Sequence, residues 1–264
     1  MAPVLALHGQ PGSGRDFDLF ARALDAEHRR RFPESPGAHL LAPDRPGWGS
    51  RASEPAGGFA AGADDAVRVL DEEGVDRAVV LGFSWGGGVA LELARRHADR
   101  VGALVLAASI GPGEPTAFDR LLARPVPGRA ICAGGLAASR LLLRRRSVHG
   151  LLGGAIPGVD PTHVRHFADH SLPGAVLDSF MVEQQALVRE FPAVLEHLGT
   201  LRVPTVVVAG DRDRLIAPGS ARGLAAAIPD ADLRLIPGAG HFLPGVAAPV
   251  LAEVVAAVAG RAVW

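Results

Sequence analysis

The chain lacks three residue types altogether: lysine, asparagine and tyrosine. Without lysine there is no Schiff-base chemistry, no pyridoxal phosphate anchor and no P-loop lysine. Without tyrosine there is no phenolic acid or base, and without asparagine no N-glycosylation acceptor. The single cysteine, Cys132, excludes an internal disulfide and any paired-cysteine metal or redox site. All 27 basic residues are arginine, and 28 acidic residues leave a formal net charge of -1. That balance gives no electrostatic footprint for nucleic acid. The longest apolar runs, such as 103–108, fall far short of the ~18–20 residues that span a bilayer. No basic segment with a long apolar one precedes the strand-like run at 3–7, so the sequence predicts a cytoplasmic protein with no membrane partner.

What is present points to one large globular unit. The 264 residues are 48% hydrophobic, too much for disorder despite 33 glycines and 21 prolines. Continuous apolar runs at 4–8, 39–42, 78–81, 103–108, 204–209 and 233–236 read as strands buried on both faces. Helical patterns at 16–30, 60–73, 86–97, 219–227 and 246–263 alternate with them. Such alternation predicts an α/β fold with a mostly parallel sheet and flanking helices. The rhythm breaks between 111 and 200, where leucine-rich helical pieces are predicted at 116–123, 130–143, 161–170 and 175–198. The expected organisation is a core of residues 1–110 and 201–264 with a helical insertion at 111–200 folded over the carboxyl edge of the sheet.

Open parallel sheets bind ligands at the carboxyl ends of their strands. The residues following each predicted strand therefore carry the functional reading. They are His8-Gly9-Gln10-Pro11-Gly12, Asp44-Arg45-Pro46-Gly47-Trp48-Gly49, Gly82-Phe83-Ser84-Trp85-Gly86, Gly210-Asp211-Arg212-Asp213 and Gly238-Ala239-Gly240-His241-Phe242. Gly82-x-Ser84-x-Gly86 between an apolar strand and a helix is a nucleophile-elbow pattern. A serine hydroxyl needs a base, and the base needs an orienting acid. Ser84, an aspartate at 211 or 213, and His241 follow in the chain order this elbow requires.

Taken together these loops resemble the α/β-hydrolase family, in its subset with a helical cap. The resemblance covers nearly the whole chain and implies a Ser84–His241–Asp213 triad, with Asp211 the fallback acid. It implies an oxyanion hole built from the backbone N–H groups of Gln10 and Trp85, in which the side chain of Gln10 matters little. His8, Asp44 and Arg45 read as loop stabilisers. Family members usually begin with a strand hairpin before the His-Gly loop; here that loop starts at residue 8, so either the sheet is short by its first two strands or the start is truncated. Dehalogenases and epoxide hydrolases of this fold carry aspartate where Ser84 stands.

The implied function is hydrolysis of an ester, thioester, amide or activated C–C bond of a small, mainly apolar molecule. It proceeds through an acyl-enzyme and requires no metal or cofactor. Phe118, Leu122, Phe180, Met181 and Phe242 are candidate substrate contacts. Non-hydrolytic relatives (perhydrolases or haloperoxidases, acyltransferases, lyases, cyclases) and a triad-bearing ligand receptor remain open alternatives. Beyond the substrate, the one partner left open is a further copy of the chain in a homo-oligomer. His163, His166 and His170 share one helical face and raise metal binding, but neither cysteine nor an H-E-x-x-H pattern accompanies them.

Overall fold

Six apolar runs become six strands, and each is followed by the helix its periodicity predicts. The computed structural model describes residues 2–113, 115–143, 145 and 176–262. β1 (Val4–Leu7) leads through a short 3-10 turn into α1 (Asp18–Arg31). Then come β2 (Leu40–Leu41), α2 (Phe59–Glu72), β3 (Ala78–Phe83), α3 (Trp85–Arg96) and β4 (Val101–Ala107). The stretch between β4 and the next strand contributes α4 (Ala117–Leu122), α5 (Pro127–Leu143), α6 (Leu177–Arg189) and α7 (Phe191–Glu196). Last are β5 (Thr205–Gly210), α8 (Pro218–Ala227), β6 (Asp232–Ile236), α9 (Leu243–Val246) and α10 (Ala248–Ala259). The helix expected at 161–170 and its three histidines lie outside the described residues.

All neighbouring strands pair in parallel, in the order β2-β1-β3-β4-β5-β6. Successive side chains of a strand point to opposite faces. Leu5, Leu7, Val80, Leu104, Leu106 and Val207 accordingly pack under α2, α3 and α8. Val4, Ala6, Val79, Leu81, Val105 and Val208 pack on α1 and α10. Two-sided burial explains the continuous apolar runs of the inner strands. The outer strands depart from that expectation. β2 is only half-buried, and β6 is exposed over its first three residues, with Leu233 38% accessible. Each is a sheet edge with one neighbour, so part of its surface meets solvent.

The chain leaves β1 for β2 on one side and returns to β3 on the other. Strand order reverses there, and a crevice opens at the carboxyl ends of β1 and β3. The helices between β4 and β5 meet the core beside this crevice. α4, α5 and α6 pack on one another, with an ion pair from Arg129 to Asp178 across α5 and α6. α7 packs on α3, and Phe191 meets Phe59 of α2 with rings tilted at 5.1 Å, while the Glu190 carboxylate accepts the Phe59 amide at 3.0 Å. Among the described residues no helix is long and apolar enough to cross a membrane.

One buried carboxyl sits at the turn between β1 and α1. Asp16 is 3% exposed and accepts the Ser13 amide at 3.3 Å, and Gly12 leaves room for it where a Cβ would lie 2.5 Å from its Oδ2. Burial first, then repulsion from Asp44 and Asp18, pushes its pKa up to about 7. The folded state therefore holds a proton that the unfolded chain has already lost above about pH 4. This contribution to stability is complete below pH 4 and is lost as pH rises through 7, by up to about 4 kcal/mol. Asp16→Asn should flatten that part of the profile. Urea denaturation at pH 5, 6, 7 and 8 should show the wild type weakening relative to the variant as pH rises. Parallel profiles would disprove the assignment.

Candidate active site

The elbow after β3 positions the serine. Ser84 adopts φ 56° and ψ −120°, a left-handed conformation that a non-glycine residue holds only under strain. Its neighbours must be glycine for steric reasons. A Cβ at Gly86 would fall 2.2 Å from the Leu7 carbonyl oxygen, and one at Gly82 2.6 Å from the Gly87 Cα. The turn thus wedges the start of α3 against the end of β1. Ser84 is left at 7% exposure at the helix N-terminus, where the dipole favours developing negative charge.

Two further loops converge on it. His241, in the loop after β6, has Nε2 3.1 Å from Ser84 Oγ and Nδ1 2.8 Å from Asp213 Oδ2. Asp213, in the loop after β5, is buried. Its Oδ1 accepts the backbone N–H groups of Leu215 at 2.8 Å and Ile216 at 2.9 Å. A carboxylate on Nδ1 makes that nitrogen the donor and leaves Nε2 to accept the serine proton. The Phe83 ring backs the imidazole at 5.2 Å. Asp211 points elsewhere: it accepts the Gly238 amide at 2.7 Å and so ties the two loops together.

The loop after β1 passes over the serine, since a Cβ at Gly9 would lie 3.0 Å from Ser84 Cβ. Its peptide planes are fixed by buried donors. His8 Nδ1 donates to the Gly9 carbonyl at 2.8 Å, and Nε2 accepts the Arg45 amide at 3.0 Å. Burial, then the Arg45 charge, holds the His8 pKa well below the usual histidine range. With both ring nitrogens engaged in the neutral state, His8 has no capacity left to act as a base. Arg45 Nη2 also donates to the Gly9 carbonyl at 3.0 Å, and Nε to the His8 carbonyl at 3.1 Å. In a trans peptide the N–H points opposite to the C=O. The Gly9 carbonyl faces Arg45, so the Gln10 N–H faces away from it. Among the described residues neither the Gln10 nor the Trp85 amide donates to a protein acceptor.

Arg45 reaches further. Its guanidinium pairs with Glu183 of α6, whose Oε1 also accepts Trp48 Nε1 at 2.8 Å. It lies 4.6 Å over the Trp85 ring, which stacks on Phe59 at 4.4 Å. The Gln10 side chain, expected to matter little, is instead a bridge to α6. Its Nε2 donates to the Phe180 carbonyl at 3.0 Å and its Oε1 accepts Gln184 Nε2 at 3.2 Å. Glu183 and Gln184 were not singled out from the sequence. Their one signal was a polar triplet, Glu183-Gln184-Gln185, interrupting the apolar run Phe180, Met181, Val182, Ala186, Leu187.

The candidate substrate contacts scatter. Met181 is buried at 6% exposure, and Leu122 and Phe180 are half-buried. Phe118 is 59% exposed. Phe242 packs edge-on against Phe83 at 5.8 Å and joins the core beside α9. Among the described residues no group of three His, Cys, Asp or Glu is disposed to hold a metal.

The alpha/beta hydrolase fold family matches residues 2–247. The RutD protein of Caulobacter sp. (strain K31), named for carbamate hydrolysis, is 31% identical over 196 residues, covering 69% of this chain and 65% of that protein. Haloalkane dehalogenase 2 of Mycobacterium tuberculosis (strain H37Rv) is 28% identical over 253 residues, covering 91% of this chain and 82% of the relative. Among solved structures, a thermophilic esterase from Thermogutta terrifontis superposes with a TM-score of 0.68 at 21% identity. That superposition covers 99% of this chain and 90% of the esterase, a likeness of fold. With the family match running through every strand and each loop of the site, this chain belongs to the alpha/beta hydrolase family of enzymes.

Proposed function

We propose that the protein is a serine hydrolase, cleaving an ester, thioester, amide or activated C–C bond of a small, mainly apolar substrate. The observation that carries this reading is the unbroken chain Ser84 Oγ, His241 Nε2, His241 Nδ1, Asp213 Oδ2, with links of 3.1 and 2.8 Å. Ser84 Oγ attacks the acyl carbon while His241 Nε2 takes its proton. Asp213 keeps Nδ1–H in place and stabilises the imidazolium. The tetrahedral oxyanion is received by the amides of Gln10 and Trp85, each such donor worth about 3–4 kcal/mol in the transition state. His241 then protonates the leaving group, and water releases the acyl group by the same steps. Displacing halide from an alkyl carbon, the activity in the dehalogenase relative's name, would call for a carboxylate nucleophile that position 84 does not supply. Leu122, Phe180 and Met181 offer apolar contact to the substrate.

The test is covalent labelling and turnover. A fluorophosphonate probe should label the wild type at Ser84 and leave Ser84→Ala unlabelled. On a panel of chromogenic esters and thioesters, Ser84→Ala should lose about five to six orders of magnitude in kcat. Persistent turnover by that variant would end the covalent mechanism. A second outcome concerns Arg45, which acts through the Gly9 peptide as a positioning residue. Replacing the buried pair together, Arg45→Met with Glu183→Leu, avoids stranding either charge and should keep the fold. It should lower kcat by about 10- to 100-fold with KM little changed, since the Gln10 N–H loses one of its two constraints. A loss confined to KM would assign the pair to substrate binding instead.

A further inference from the structure

The bridge between the His-Gly loop and α6 ends on an atom that has no partner among the described residues. The Phe180 carbonyl can only accept, so the end of the Gln10 amide that meets it at 3.0 Å is Nε2. Gln10 Oε1 therefore faces Gln184, and the end of Gln184 that meets it at 3.2 Å is likewise Nε2. Reversing both amides would set two oxygens against each other at Phe180. The polarity of the whole relay is thus set by one backbone carbonyl. Its terminus is Gln184 Oε1, which is fully buried and finds no donor among the described residues. The Gln184 residue is 8% exposed. A buried amide oxygen left unpaired is destabilising by about 1–3 kcal/mol, and native proteins keep few of them.

The position of this acceptor matters as much as its orphan state. The relay begins on the side chain of Gln10, whose backbone N–H is the proposed oxyanion donor. A substrate carbonyl held there lies two hydrogen-bonded amides from Gln184 Oε1. Each other side-chain amide atom of the relay has at least one partner, so Oε1 is the one on this path that has none among the described residues. It accepts and cannot donate, so its natural complement is a hydroxyl or an N–H.

We propose that Gln184 Oε1 is a specificity contact that accepts a hydrogen bond from a hydroxyl or amide N–H carried a few bonds from the scissile carbonyl. The preferred substrates are then donor-bearing esters or thioesters, such as hydroxyacyl or acylamino compounds, and not plain alkanoyl ones. This rests on the serine-hydrolase reading and narrows its substrate class. A site built to bond a substrate donor discriminates against the analogue lacking it, because its own polar group is then stranded.

The experiment compares matched chromogenic esters: butyrate, 3-hydroxybutyrate and N-acetylglycinate, together with a butyrate whose leaving group carries a hydroxyl. The readout is the ratio of kcat/KM for each donor-bearing ester to that for butyrate. In the wild type this ratio should be about tenfold or more for at least one ester, whose identity assigns the donor to the acyl or leaving-group side. Gln184→Leu should bring the ratio toward one. Gln184→Glu, which keeps an acceptor but loses the donor to Gln10, should restore it in part, a rescue that a merely structural role would not show. Ratios near one across the set for the wild type overturn the proposal without any variant, and this is also the result if the site holds only a solvent molecule. A wild-type preference unchanged in Gln184→Leu overturns it as well. Butyrate turnover abolished by Ser84→Ala, alongside ratios near one, defeats this inference and leaves the serine mechanism standing. Turnover that survives Ser84→Ala defeats the mechanism itself.

Discussion

The Gly9–Gln10 peptide group is one rigid plane, so whatever holds its oxygen also aims its N–H. Two buried donors hold that oxygen, His8 Nδ1 at 2.8 Å and Arg45 Nη2 at 3.0 Å. Neither donor is free to drift. His8 is kept neutral by burial and anchored at its other nitrogen by the Arg45 amide. Arg45 is anchored by the Glu183 carboxylate, which is itself fixed by Trp48. In the proposed mechanism the Gln10 N–H is an oxyanion donor, and such a donor works by being aimed before charge develops, so that no reorganisation is spent during the reaction. The direction of the Gln10 N–H is therefore fixed by groups that never touch the serine.

Placing Arg45 and Glu183 at 4% and 0% exposure carries a desolvation cost, and such pairs are seldom justified by stability alone. Burial pushes the Glu183 pKa up, while Arg45 and Trp48 pull it back. What the pair does supply is connection. One guanidinium touches the loop after β1, the indole of Trp85 beside Ser84, and α6 from the segment between β4 and β5. The Gln10–Gln184 relay joins the same two elements a second time. A shift of α6 would therefore be felt at Gln10 through bonds of known direction.

Much of this was legible before the structure, and the reason is local. Inner strands buried on both faces leave unbroken apolar runs, and each of the six runs became a strand. The edge strands misled only in degree, because burial depends on neighbours that a run of apolar residues does not reveal. Ser84 was legible because its turn tolerates only glycine at 82 and 86. Asp211 and Asp213 stand two residues apart in one loop, and what separates them is which carboxylate the turn after β5 directs at His241. The Arg45–Glu183 pair and the Gln10–Gln184 relay were not legible. They span 138 and 174 residues, and no period or motif links such distant positions. Only the polar interruption of α6 hinted that something there needed a partner.

The missing lysine has a local consequence that composition alone did not disclose. Arg45 serves acceptors in several directions at once: Nε on the His8 carbonyl, Nη2 on the Gly9 carbonyl, and both Nη atoms on Glu183. A guanidinium offers five N–H groups in a fixed plane. That of Arg45 also sits over the Trp85 ring, 4.6 Å from its centroid. A lysine ammonium has three donors around one point and no face to stack. It could neutralise Glu183 but could not also orient two consecutive carbonyls from a single position. At residue 45, then, arginine is a geometric requirement, whatever the reason that every other basic residue of the chain is arginine too.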